Sequence, residues 1–102
     1  MTRKLLILSA LTALAFARPA VAEKVTYATE VAPILKQHCQ ECHRPGEAVP
    51  MTMHNYEETR PWAKSIKKVV ASGEMPPWHA HPTIGKWAND RSMTQEEIDT
   101  VI

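Results

Sequence analysis

Cys39 and Cys42 are the only two cysteines in a chain of 102 residues, and they lie three positions apart in the stretch HCQECH, flanked by His38 and His43. Thiols at this spacing can form a redox dithiol, supply half of a zinc site, or anchor a covalent cofactor. A redox dithiol draws its reactivity from a thiolate stabilised at a helix N-terminus, usually within a βαβ unit. Here the pair follows a helical pattern and no strand pattern surrounds it. A zinc site could recruit Cys39, Cys42, His43 and one of His38, His54, His79 or His81, but a second ligand pair at regular spacing is missing. Cys-x-x-Cys-His suits covalent haem for a geometric reason. Two thiols one helical turn apart can each add to a vinyl group on one porphyrin edge, and the adjacent histidine is then placed to bind the iron axially. Cys39 and Cys42 are therefore expected as thioether anchors of one haem c, His43 as its proximal ligand, and His38 as a helix-surface histidine.

A sixth iron ligand could come from Met51, Met53, Met75, Met93, His54, His79 or His81. Reach excludes none of them, since even eight residues extend about 27 Å. Context favours Met75. It follows Gly73, a natural helix stop, and precedes Pro76-Pro77, whose fixed φ and missing N–H groups stiffen the loop. Trp78 would shield the thioether sulfur from water. Met51 and Met53 are expected as packing residues, and His79 and His81 as solvated loop residues. A ligating histidine also needs a partner for its other ring nitrogen, and the loop from Arg44 to Pro50 can return a carbonyl to His43, expected to be that of Pro50.

The elements that must hold these residues are helical. Val31, Ile34, Leu35 and His38 have helical spacing, with Thr29 as the expected N-cap and Glu30 favouring the helix dipole. This helix should run directly into Cys39 to His43. Asn55 is placed to cap a turn through Arg60, and Pro61 marks the start of the next helix. In that helix Trp62, Ile66, Val69 and Val70 share one face, Lys64, Lys67 and Lys68 lie off it, and Gly73 provides the C′ stop. Residues 74–93 contain three prolines and two tryptophans and read as an ordered loop. Thr94 to Glu97 then has capping-box form ahead of Ile98, Val101 and Ile102. Ile102 comes within about two turns, so this last helix is expected to be incomplete and to continue in a longer gene product.

Arg3 and Lys4, the apolar run from Leu5 to Ala17 and the small-x-small site Ala20-Val21-Ala22 form a secretory signal peptide over residues 1–22. The apolar run is shorter than the roughly 17–25 residues of a spanning helix, so no membrane association is expected after cleavage. Loss of Arg3, Lys4 and Arg18 leaves nine of the 12 basic residues against all 11 acidic ones, a net charge of −2 with histidine neutral. That balance gives no electrostatic basis for nucleic-acid binding. A domain of about 80 residues is marginal on its hydrophobic core alone. A disulfide between Cys39 and Cys42 would close too short a loop to add much, whereas a buried covalent cofactor would staple the fold.

Together, VAPIL, CQECH with the following RPG, the Pro50-Met51 loop, MPPWHA and DRS with EID resemble a class I c-type cytochrome domain of exported bacterial proteins. The likeness spans essentially the whole of residues 23–102. It implies an all-α fold of three to five helices around haem c, with Cys39 and Cys42 as thioether anchors and His43 and Met75 as axial ligands. It also implies periplasmic single-electron transfer to transient redox partners, one of which could be fused downstream. The alternatives are a haem enzyme or sensor with an open sixth position, and a dithiol or zinc module.

Overall fold

The structure, a computed structural model, describes residues 22–102. The expected leader lies outside the described residues, apart from Ala22. Every regular element among the described residues is helical, which agrees with the all-α expectation.

The first helix begins three residues before the expected cap. Thr26, in extended conformation, accepts from the Thr29 amide at 3.3 Å through its hydroxyl, and the Glu30 carboxylate reaches back to the Thr26 amide at 2.6 Å. This is a reciprocal cap closed one residue later than the usual box, because Tyr27–Val31 is a π turn. Pro33 explains the wider turn: it has no N–H to donate to Thr29, and its ring crowds that carbonyl in a regular α-helix. Helix α1 follows over Ala32–His38.

Asn55 caps α2, Tyr56–Thr59, by accepting from the Glu58 amide at 2.9 Å. Pro61 does not open the next helix. It lies in a 3-10 turn, Arg60–Trp62, and helix α3 runs from Ala63–Ala71. At the end of α3, Gly73 takes φ +73° and its amide donates to Val70, a left-handed stop that a side chain would strain. Helix α4, Gln95–Val101, carries the full capping box, with Thr94 accepting from the Glu97 amide at 3.2 Å and Glu97 accepting from the Thr94 amide at 2.7 Å. Between α3 and α4 the chain has no regular element.

Leu35 of α1, Ile66 and Val70 of α3 and Met53 of the intervening loop form the buried core, with Val31, Met93, Ile98 and Val101 packed around it. Tyr27 meets Tyr56 edge-on at 5.1 Å between ring centroids and joins the first turn to α2. Helix α4 packs on α3 and on the π turn, so the core is closed by three segments distant in sequence. Leu35 is 1 % exposed, and its truncation removes packing that no neighbour can replace. Leu35→Ala is expected to cost about 2–5 kcal/mol, read as a lowered urea midpoint; an unchanged midpoint would place the core elsewhere.

Candidate cofactor site

Helix α1 ends where the cysteine motif begins. Cys39 is its C-cap, donating to the Leu35 carbonyl, and the Cys39 carbonyl in turn accepts from the His43 amide at 2.9 Å. The motif is therefore one isolated helical turn following α1, and not an uninterrupted continuation of it. The spacing of one turn between the thiols is kept.

The loop after the motif returns to it through three hydrogen bonds. The Met53 amide donates to the His43 carbonyl at 3.1 Å, Gln40 Nε2 donates to the Met53 carbonyl at 2.7 Å, and His43 Nδ1 lies 3.1 Å from the Met51 carbonyl. A carbonyl can only accept, so Nδ1 carries a proton and, in the neutral ring, Nε2 keeps its lone pair. Nε2 has no hydrogen-bond partner among the described residues. The carbonyl that fixes the ring belongs to Met51 and not to Pro50 as expected. The pairing of Met53 with His43 sets the register of the returning loop, and in that register the Met51 carbonyl faces the ring.

Cys39, Cys42 and His43 open into a cleft of about 360 Å³, within the size range of small-molecule sites. Val49, Met51, Trp62, Ile66, Val69 and Met75 line most of it, and its polar lining includes His38, Glu41 and Arg91. Met75 reaches the cleft because the Gly73 reversal carries the chain back along α3, where the Met75 amide donates to the Val69 carbonyl at 3.0 Å. Of the candidate sixth ligands, Met51, Met53 and Met75 line this cleft, while Met93, His54, His79 and His81 do not. Met51 and Met53 belong to the strap that holds His43, and Met53 is buried in the core. Met75 arrives on an independent segment.

Two expected contributors line pockets that adjoin the cleft. Pro50 lines a shallow depression beside Arg44, Glu47 and Glu58. Trp78 lines a pocket of about 130 Å³ that shares Met75 and Pro76 with the cleft. Trp62 and Pro76-Pro77 stand in the cleft wall instead.

His38 is not a helix-surface residue. Its side chain is 5 % exposed, with Nδ1 3.2 Å from the Arg91 carbonyl and Nε2 3.1 Å from Glu97 Oε1. Glu97 thus caps α4 with one oxygen and ties it to α1 with the other. The place of His38 on the Val31, Ile34, Leu35 stripe was a legible sign of burial; Arg91 had no comparable signal.

Both thiols are free. Burial first, and the neighbouring Cys42 second, push the Cys39 thiol up to about 11, so it remains protonated at neutral pH and is a poor thiolate nucleophile. Among the described residues no group of three or more His, Cys, Asp or Glu side chains is placed to hold a metal ion. The four protein ligands of a structural zinc site are not assembled there. No family model, curated protein or solved structure matches the chain.

Glu97 supplies a pH dependence. The Thr94 amide above all, with His38 and the Thr94 hydroxyl, holds its carboxyl below the ordinary carboxylate range against the opposing effect of burial. A depressed folded-state value means that the stabilisation is present above the ordinary value of about 4.3 and is lost as pH falls through the folded one. Glu97→Gln is expected to flatten the acid arm of a plot of urea midpoint against pH; curves that stay parallel would remove Glu97 from the account.

Proposed function

We propose that the chain is an exported, periplasmic electron carrier, a small class I c-type cytochrome domain. Cys39 and Cys42 hold one haem c through thioethers, and His43 Nε2 and the Met75 sulfur ligate its iron. The observation that carries the proposal is the meeting of Cys39, Cys42, His43 and Met75 in one mostly apolar cleft. The donor set fits the group: two thiols on one turn, an imidazole with a free lone pair, and a thioether brought by a separate segment. When bound, haem supplies a one-electron centre that alternates between ferrous and ferric states.

The chain's own groups favour that use. Donation from Nδ1 to the Met51 carbonyl fixes the His43 ring and raises its basicity as a ligand. The soft sulfur of Met75 favours the reduced state. Trp62, Ile66 and Val69 give the cleft an apolar wall, which would lower the dielectric around the group it holds. Docking at the cleft mouth to redox proteins would be small and transient. Export rests on the leader, and no helix among the described residues is long and apolar enough to cross a membrane.

A second assignment, a haem enzyme or sensor with an open sixth position, draws on the 38 % exposure of Met75. Spectra of protein matured in a periplasm separate the two. The carrier gives a low-spin ferric spectrum, and Met75→Ala converts it to high spin and lowers the midpoint potential. A parent that is already high-spin, and unchanged by Met75→Ala, transfers the assignment to the open-site class.

A further inference from the structure

Arg91 lies in the wall of the cleft, near-neighbour to the cysteine motif although about fifty positions away in sequence. Its Nη1 is 3.7 Å from Cys42 Sγ, and its Nη2 donates to Glu41 Oε1 at 3.1 Å. The backbone is tied as well. The Arg91 carbonyl accepts from His38 at 3.2 Å, and the preceding turn is set by the Ser92 amide donating to Asp90 at 2.8 Å. A long, rotamer-rich side chain is thus held at both its base and its tip.

An exposed ion pair alone gives little stability, and Glu41 is 62 % exposed. That contact does not account for the cost of ordering the arginine. What the arrangement does secure is the location of a charge. A guanidinium is a permanent cation, and the Arg91 side chain is 34 % exposed, less than that of its partner. Water therefore screens Glu41 more than Arg91 as felt from the apolar cleft. A thioether sulfur remains a weak acceptor, so the contact at Cys42 is compatible with the anchored state.

We infer that Arg91 fixes a positive charge at the Cys42 edge of the cleft and thereby raises the reduction potential of the haem held there. The inference rests on the proposed function. An oxidised centre carries one more positive charge than a reduced one, so a nearby fixed cation disfavours oxidation.

Redox titration of the full, haem-loaded chain tests this. Arg91→Gln is expected to lower the midpoint, Arg91→Lys to stay near the parent, and Glu41→Gln to raise it. Added salt should narrow the gap between the parent and Arg91→Gln. A purely structural latch predicts instead that Lys and Gln at position 91 fall together, and that result, or an unmoved midpoint in Arg91→Gln, overturns the assignment. Where Arg91→Gln does not fold, Arg91→Met, which keeps the apolar stem and drops the charge, decides; an unchanged midpoint there overturns the inference. Haem present with no such shifts removes only the role of Arg91, whereas a chain that matures without covalent haem removes the proposed function too.

Discussion

The hydrogen bond from His43 Nδ1 to the Met51 carbonyl, 3.1 Å long, is the constraint on which the cleft depends. It does two jobs with one proton: it orients the imidazole and it leaves Nε2 as the only nitrogen able to donate a lone pair. The Met53 amide on the His43 carbonyl closes the same loop from the backbone side. Because Met53 is also a core residue beside Leu35 and Ile66, the ring's orientation is inherited from the packing of α1 against α3. The site is stiff where the chain is best packed.

A second tie secures the other edge. His38 takes its place in the apolar stripe of α1 yet carries two polar ring atoms, each satisfied by the distant segment around Arg91 and Glu97. Both partners are acceptors, so the two contacts are hydrogen bonds together only when both ring nitrogens carry hydrogen, and a buried ring paired in that way is far less costly than one left unpaired. The pairing makes the docking of α4 specific, since only one placement of Glu97 meets both its own helix cap and His38. Helix α4 has seven residues and could not persist in isolation. Its stability comes from its cap, from Ile98 and Val101 against the core, and from this tie.

Local signals carried most of what was legible in the sequence. Asn55, Gly73 and the Thr94–Glu97 box each act within four residues, and each does what its residue type prescribes. The apolar stripe of α3 likewise identified Ile66 and Val70 as core. Errors arose where a neighbour competed. Pro33 widened the first turn and moved the cap from Thr29 to Thr26, and the register of the returning loop put the Met51 carbonyl in the position expected for Pro50. Trp78 meets Met75 in a pocket beside the cleft. Arg91 was invisible because its partners Glu41 and Cys42 lie across the fold, in a segment without periodicity.

The central claim is chemical: Cys39 and Cys42 are consumed in bonds to haem. Intact-mass measurement of the exported chain, unfolded in acid, addresses it without reference to ligation, potential or activity. The account predicts a single species heavier than the leader-less polypeptide by one haem, with no thiol left to alkylate. A polypeptide mass without haem and with two alkylatable thiols would contradict it.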